Sequence, residues 1–483
     1  MNYSPPAGQV STKPALDSLR FGRYTFPMQR LLTAFGALCV LALSVSGIVL
    51  IVRHQREIAA ERKFAAAGPA HLAREEAAAR REGIPLTAHE LQQPLPPASQ
   101  NAAPLYVKLT KLLHDKPLGL PKYAEGMDAF HSYTPAQIAA VRQTLAARRD
   151  VLALVHQAAD KPRCVFTRDW SLGADMPFPE YQWMREAARL IETESYLMAR
   201  DGHYKEAVAN QARGFRIAEH AASDPSLISY LVGIACQTLA LRGMQSVLAL
   251  AGLSAVIEAD VQQATITQYT PLSLRRALAG ETGCYSASIQ RMHQGEKNGV
   301  SAAFAAGHFP SENSERIHLS PAETRNLHDL IDAWQADYLA RMRPLVVASR
   351  QPPSVRRAAY ALLDKQTTNE NPASDSVIHL LSDILMPVFS KLDQNDTRTR
   401  ARVSVTLAAA AVLAQKAKTG AFPNHLPPQF TDPFTNKPLL YKREAAGGFV
   451  VYSAGPTGTF SGGRPGEKVP GQESVFRYPA VPK

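Results

Sequence analysis

Three residues with reactive side chains lie close together in the sequence, at Glu281, Cys284 and His293. A thiol, a carboxylate and an imidazole are the groups of covalent catalysis, in which a base within hydrogen-bond reach activates the nucleophile. The three would share one helix, but their spacing supplies neither that contact nor an oxyanion hole. No catalytic residue is therefore assigned from the sequence.

The 14 histidines contain no HExxH pair of the kind that binds zinc. His328, beside Asp329, and His379 lie on helical patterns, where isolated histidines are commonly surface or core residues. The pattern predicts no metal site and no cofactor site.

The 4 cysteines are too few for a disulfide framework, and none has CxxC spacing. Cys39 lies in an apolar run near the N-terminus, so only Cys164, Cys236 and Cys284 remain, enough for at most one disulfide. Buried structural cysteine is the expectation for each, and the pairing stays open.

Two further features are compatible with binding. The glycine-rich stretch Gly455 to Gly466, GPTGTFSGGRPG, lacks the Gly-Lys-Ser/Thr ending of a phosphate-binding loop, so a flexible loop is expected. Trp170, Trp183 and Trp334 are compatible with the lining of a groove, although core packing is the commoner role.

The chain has a formal net charge of +11, which favours anionic partners. Its basic residues are scattered and interleaved with acids, as in REEAAARREG, and form no compact stripe with aromatic neighbours. Nucleic-acid binding is therefore not expected. Lipid headgroups or wall polymers are the alternative anionic partners.

Leu31 to Val52 is a run of 22 residues without Asp, Glu, Lys, Arg or His. As a helix it spans ~33 Å, enough for the hydrocarbon core of a bilayer. A signal peptide has a shorter apolar core and a cleavage site, and a buried core helix is the other alternative. We expect a single membrane anchor whose partner is the lipid bilayer.

Basic residues flank the run on both sides, so their count does not fix the orientation. Large domains are translocated largely regardless of charge, which leaves the four cations of the preceding tail as the better indicator. The expectation is a single-pass protein of the bacterial inner membrane, with its N-terminus cytoplasmic and its large domain periplasmic.

The rest of the chain divides by composition. The predicted segments are a disordered tail (1–30), the transmembrane helix (31–52), a helical stalk with a Pro-rich linker (53–104), an α-helical domain (105–400) and a small α+β module (401–483). Thr134-Pro135 opens one helix, and others are expected at 181–200, 204–221, after Asp224-Pro225, and around 255–293, 321–343, 353–365 and 374–391. The fold class is mainly α.

The stretch GHYKEAV resembles the start of the second helix of a tetratricopeptide repeat, with Gly202, Tyr204 and Ala207 at the matching positions. Gln211 and Gly214 stand where that repeat has a large apolar residue and an alanine, and no copy appears 34 residues away. A generic helical hairpin is the alternative.

The last eighty residues resemble the C-terminal half of the major pseudopilins of type II secretion. An alanine-rich helix, VSVTLAAAAVLA, leads to a turn, an Asp-Pro turn and the strands LLYK and FVVYSA around Gly447-Gly448. The matching residues are Gly420, Phe422, Pro423, Asp432, Pro433, Tyr441, Tyr452, Ser453 and Gly455. The calcium-binding carboxylates of that family are absent from PTGTFSGGRPG, so calcium is not expected to stabilise this module.

The resemblance implies that the alanine-rich helix and the strands share one core, predicted to join Leu407, Val412 and Leu413 to Leu440, Phe449 and Val451. The whole layout resembles single-pass bacterial envelope proteins that carry this module at their C-terminus. The expected function is an interaction scaffold or accessory subunit tied to secretion or pilus-like assembly. The alternative is a hydrolase of envelope polymers with its site in the helical domain.

Overall fold

The computed structural model describes residues 59, 62–252, 261, 271–293, 321–369, 380–444, 447–456, 458 and 474–479. The chain divides into two compact units, 1–60 and 61–483, and the helices and strands named here belong to the second. The predicted tail and the predicted membrane anchor, Leu31 to Val52, lie outside the described residues.

The described residues are mainly helical, with a small antiparallel sheet near the C-terminus, which confirms the predicted fold class at that level. The helices are α1 (62–81), α2 (Ala88–Leu91), α3 (Ala103–Asp115), α4 (Pro135–Ala147), α5 (Arg149–Ala159), α6 (Tyr181–Arg200), α7 (Tyr204–Ala221), α8 (Leu227–Ala251), α9 (Leu274–His293), α10 (Pro321–Ala348), α11 (Pro353–Asn369) and α12 (Leu380–Thr419). The strands are β1 (Thr431–Asp432), β2 (Lys437–Pro438), β3 (Leu440–Glu444), β4 (Gly448–Tyr452) and β5 (Val475–Tyr478).

Local capping chemistry explains why several helices begin where the sequence predicts. The Thr134 hydroxyl accepts a hydrogen bond from the Gln137 amide (3.2 Å), and the Gln137 side chain accepts one from the Thr134 amide (2.9 Å). This capping box satisfies two amides that the helix itself leaves unpaired. Ser226 likewise accepts from the Ser229 amide at the start of α8. The predicted bounds of α6 and α7 are confirmed.

Helices α6, α7 and α8 form the centre of the array. Small residues let α7 and α8 approach closely, because a Cβ on Gly214 would lie 3.0 Å from the Ala240 Cβ. A Cβ on Gly243 would overlap the Gln211 side chain. Gln211 and Gly214 therefore face α8. Helices α6 and α7 also pack against each other and form the predicted helical hairpin. The likeness of this hairpin to the tetratricopeptide repeat stays a prediction.

Within the described residues, α8 alone is long and apolar enough to cross a membrane. Of its most apolar stretch, 67% is buried inside the protein. Cys236, Leu241 and Val247 have no exposed surface, and they pack against the neighbouring helices. The helix is therefore the central core helix of the array.

Helix α1 packs against α10 rather than projecting as the predicted stalk. A Cβ on Gly68 would lie 2.2 Å from the Asp329 carbonyl oxygen, so the two backbones nearly touch. The Arg343 guanidinium bonds to Glu75 (2.5 Å) and to Glu82 (2.6 and 3.1 Å). The helix also continues through Gly68 and Pro69, although a proline at this depth removes one intrahelical hydrogen bond.

The Pro-rich segment after α1 contains one short helix, α2, and lies against the other helices. Leu86 and Leu91 are 1% and 2% exposed. The Gln92 side chain donates to the Arg168 carbonyl (3.1 Å), and Gln93 donates to that of Ser223 (2.9 Å). The segment thus lies along the surface of the fold and is anchored in the core by Ile84, Leu86 and Leu91.

Helix α12 runs without a break through the boundary predicted at residues 400 and 401, and it joins the helix predicted around 374–391 to the alanine-rich stretch. Its buried alanines, Ala408 to Ala410, share a core with Phe215 and Met244 of the central helices and with the sheet. Because small side chains permit this close packing on both sides, the sheet and the helical array form one compact unit. Gly420, with φ +75°, ends the helix.

The predicted hairpin is confirmed: β3 pairs antiparallel with β4, placing Leu440 opposite Tyr452. A third strand, β5, pairs with the other edge of β4, placing Phe449 opposite Tyr478. This strand was not predicted from the sequence. The short pair β1 and β2 forms a separate two-stranded ribbon.

The predicted shared core is correct for Val412, Leu413, Phe449 and Val451. It is wrong for Leu407 and Leu440, which are only half-buried. Successive side chains of a strand point to opposite faces, and Leu439 rather than its neighbour enters the core. On α12 the buried stripe follows helical spacing through Val405, Ala408 and Val412, which turns residue 407 away from it.

Asp432 holds the C-terminal module together, and its replacement by alanine is expected to lower the free energy of unfolding by about 2–3 kcal/mol. The side chain is 1% exposed and accepts from the Ala454 amide (2.7 Å), the Phe434 amide (2.9 Å) and the Ser453 hydroxyl (3.0 Å). Alanine would leave these buried donors without an acceptor. Urea unfolding measures the effect.

Asp115→Ala, at an exposed aspartate, is the control and should stay within about 0.5 kcal/mol of the wild type. Calcium and chelator should give the same unfolding midpoint, because both Asp432 oxygens already accept protein donors. A calcium-dependent rise in that midpoint would contradict the structural role assigned to this carboxylate.

Candidate functional site

An open groove of about 490 Å³ lies between α4, α5 and the C-terminal half of α6, and we call it the α4–α6 groove. Its floor is apolar: Leu145 and Leu197 are buried, while Leu152 and Met198 are half-buried. This volume lies within the range of ligand-binding clefts, ~300–1,000 Å³. The groove therefore offers a partner a partly exposed apolar surface, formed mainly by Leu152 and Met198.

Charged side chains surround this floor. The Arg142 guanidinium donates to both oxygens of Asp201 (2.7 and 2.8 Å). His156 Nε2 lies 2.7 Å from a Glu194 carboxylate oxygen. Arg149 is exposed at the start of α5 and forms no ion pair with the residues that the structure describes. Its charge is thus available to a partner at the rim.

The pairing of His156 with Glu194 has a chemical meaning of its own. The Asn210 side chain also donates to this carboxylate (2.9 Å), so Glu194 is fixed and orients the imidazole. A histidine held in this way can act as a general base. The described residues that line the groove include no Ser, Thr or Cys, so a hydroxyl or thiol nucleophile is lacking there. The groove could therefore bind a partner, or His156 could activate a water molecule there.

The reactive residues of α9 do not form a site. Glu281 accepts a hydrogen bond from the Leu227 amide (3.1 Å) and so caps the start of α8. Cys284 is buried with Leu91 and Trp170, and this burial raises the pKa of its thiol. His293 lies nine residues further along the helix, ~13.5 Å away at 1.5 Å per residue. A buried thiol that stays protonated has a structural role.

The predicted core roles of the tryptophans are supported. Trp170 and Trp334 are 2% and 4% exposed, and Trp183 packs half-buried against the core. None of the three lines the α4–α6 groove. His328 and Asp329 are half-buried on α10. His379 and most of the loop from Gly455 to Gly466 lie outside the described residues.

The cysteines Cys164, Cys236 and Cys284 are all buried and free, so the disulfide left open by the sequence is not formed among them. Cys39 lies outside the described residues. Among the residues that are described, no three His, Cys, Asp or Glu side chains cluster in a way that would hold a metal ion.

A buried histidine that the sequence did not single out joins α7 to the preceding helices. His220 Nε2 faces the Lys161 carbonyl (3.0 Å) and must carry the proton there, so its Nδ1 accepts from the Tyr106 hydroxyl (3.0 Å). Burial lowers the pKa of His220 to about 3. The imidazole is therefore neutral at physiological pH and has a structural role.

Glu192 is a buried carboxyl that should make stability depend on pH. It has no exposed surface, and the Arg242 guanidinium donates to both of its oxygens. Burial raises its pKa from 4.5 to about 7, against the lowering effect of Arg242. A pKa raised by folding stabilises the folded state below the ordinary value, and this contribution is lost as pH rises through about 7.

Glu192→Gln is expected to remove this dependence. Between pH ~4.5 and ~7.5 the wild type should lose up to about 3 kcal/mol of unfolding free energy relative to the variant. Urea unfolding at several pH values measures the difference. Glu186→Gln, on the same helix and only partly buried, is the control and should run parallel to the wild type. Parallel curves for Glu192→Gln as well would contradict the assigned pKa.

Sequence reasoning missed the groove because its residues come from three helices and a turn, and no local spacing marks them. The one usable signal was the amphipathic pattern of the residues that form α5. Comparisons of the chain with protein-family models, with curated proteins and with solved structures find no match. The geometry of the groove is therefore the basis for proposing a role.

Proposed function

We propose that this protein is a membrane-anchored interaction subunit of the bacterial envelope. Leu31 to Val52 would hold it in the inner membrane, with a cytoplasmic N-terminus and the folded unit in the periplasm. The observation that carries the proposal is the α4–α6 groove, with its half-buried apolar side chains Leu152 and Met198 and its charged rim. The pseudopilin-like sequence of the C-terminal module favours a role in secretion or pilus-like assembly.

The occupant of the groove is proposed to be an acidic amphipathic segment of a protein partner. Leu152 and Met198 would meet its apolar face, because apolar area removed from water drives association. Arg149, which has no ion pair among the described residues, would meet a carboxylate. The net charge of +11 would speed the encounter with an acidic partner by long-range attraction.

The proposal predicts that Arg149→Glu weakens partner capture at least tenfold, because it replaces an attractive rim charge with a repulsive one. Mild crosslinking in native membranes, followed by purification of the protein and quantification of its adducts, measures the capture. A carboxylate in the first turn of α5 interacts favourably with the helix dipole, so unfolding would not explain the loss.

Arg81→Glu is the matched control, since Arg81 is also exposed but lies on α1, away from the groove. It should retain the adducts of the wild type. The same adducts in equal amounts from all three proteins would exclude the groove as the partner site.

The alternative function, a hydrolase of envelope polymers, is favoured by one observation, the His156–Glu194 pair. It would act by base-activated attack of water. Incubation of purified wall polymer with the protein and with His156→Gln, followed by mass spectrometry of the released fragments, separates the two functions. The interaction proposal expects no fragment that depends on His156, whereas release by the wild type alone would support the hydrolase.

A further inference from the structure

A second cavity, of about 430 Å³, lies where the end of α7, the start of α8 and the start of α9 meet. We call it the α7–α9 cavity. Its polar lining comes from Arg216, Glu219, Asp224, Tyr230, Ser273 and Arg276. None of these residues lines the α4–α6 groove, which is the proposed partner site.

Asp224 brings an unsatisfied hydrogen-bond acceptor to this cavity. The side chain is 3% exposed, and one oxygen accepts from Arg168 Nε (2.9 Å) and from the Tyr181 hydroxyl (2.8 Å). The other oxygen, Oδ1, has no hydrogen-bond partner among the described residues. A buried carboxylate oxygen without a donor costs free energy, which a ligand donor could recover.

Tyr230 adds a second buried polar atom. It is 2% exposed, and its hydroxyl lies beside the buried Asp396 carboxylate. Burial and this carboxylate both raise the pKa of the phenol, so it keeps its proton. The lining therefore combines a neutral phenol with the Asp224 oxygen that has no donor, a polar surface suited to a polar molecule.

The rim of the cavity carries the opposite charge. Arg276 is exposed there and donates to the Gln93 side chain (2.6 Å) and to the Ser223 carbonyl, both neutral acceptors. It forms no ion pair with any described residue. Burial lowers the pKa of Arg276, and the nearby Asp224 carboxylate acts against this lowering. The other arginine of the lining, Arg216, is paired with Glu219 (2.7 Å).

We infer that the α7–α9 cavity binds a small zwitterion, a free α-amino acid, with its ammonium group on Asp224 and its carboxylate towards Arg276. A simple anion would be repelled by the buried Asp224 oxygen that lacks a donor, and a simple cation would leave Arg276 without a counter-charge. A molecule that carries both charges a few ångströms apart matches both groups, and the cavity is large enough for an amino acid with its side chain.

The test is a binding measurement on the full-length protein in detergent. Saturation-transfer NMR with a pool of the free standard amino acids selects a binder, and calorimetry then gives its affinity. Ethylamine and acetate, which carry one charge each, should bind at least tenfold more weakly. A parallel pool of dipeptides distinguishes a free amino acid from a peptide terminus, and tighter binding of dipeptides would overturn the assignment to a free amino acid.

Two variants test the residues. Asp224→Asn and Arg276→Gln should each weaken binding at least tenfold, while Arg443→Gln, exposed on β3 of the C-terminal sheet, should bind as the wild type does. Because Arg276 is exposed, its variant keeps the test valid if the buried substitution prevents folding. The inference is overturned if no pooled amino acid binds the folded protein at ~10 mM, or if Arg276→Gln binds normally.

Discussion

A chain that begins at Ala102 is expected to lose its cooperative unfolding transition, whereas a chain that begins at residue 61 keeps it. The shorter chain lacks Ile84, Leu86 and Leu91, whose side chains are 3%, 1% and 2% exposed. Truncating one such side chain typically costs ~2–5 kcal/mol. Removing all three therefore approaches the whole stability of a typical domain, ~5–15 kcal/mol. Circular dichroism during urea unfolding measures the transition.

Point variants of the full-length chain make the same test without a deletion. Leu86→Ala should cost ~2–5 kcal/mol. Leu95→Ala changes a leucine of the same segment that is 60% exposed, and it should cost less than ~0.5 kcal/mol. Equal costs for the two leucines, or normal unfolding of the chain that begins at Ala102, would show that this segment is not part of the core.

Replacement of Arg356 by alanine is expected to lower the free energy of unfolding by about 3–5 kcal/mol, because the buried Asp393 loses its ion-pair partner and Asp396 keeps only Arg400. Arg356 is 2% exposed and donates to Asp393 and Asp396, which are 1% and 2% exposed. These bonds fasten α11 to α12. Urea unfolding at neutral pH measures the loss.

Arg142→Ala is the matched control, since its bidentate pair with Asp201 is exposed and should be worth less than about 1 kcal/mol. Combining Arg356→Met with Asp393→Asn and Asp396→Asn should recover much of the loss, because no buried charge is then left unpaired. A cost for Arg356→Ala no larger than that of the control would contradict the burial of this cluster.

Local signals in the sequence were sufficient for the helices of the central array. Thr134 and Ser226 cap helices through bonds to residues three positions away, and Gly202 permits the tight turn between α6 and α7. Such contacts depend on neighbours in the chain, so spacing alone predicts them. The hairpin of β3 and β4 was predictable for the same reason.

Long-range packing accounts for most of what the sequence analysis missed. Helix α1 is rich in alanine and charge, a composition that fits either a solvated stalk or a close contact, and only its position against α10 decides between them. The ion pair of Arg168 with Asp224 joins residues 56 positions apart. The α4–α6 groove depends on how three helices splay, which no local pattern encodes.

The central claim, that the α4–α6 groove binds a partner, is tested most directly by site-specific photocrosslinking in native membranes. A photoreactive residue at Ala153, exposed in the groove, should give a discrete adduct whose crosslinked peptide is acidic and amphipathic. The same residue at Ala361, exposed on α11, should not give that adduct. Absence of the adduct at Ala153, or equal adducts at both positions, would contradict the account.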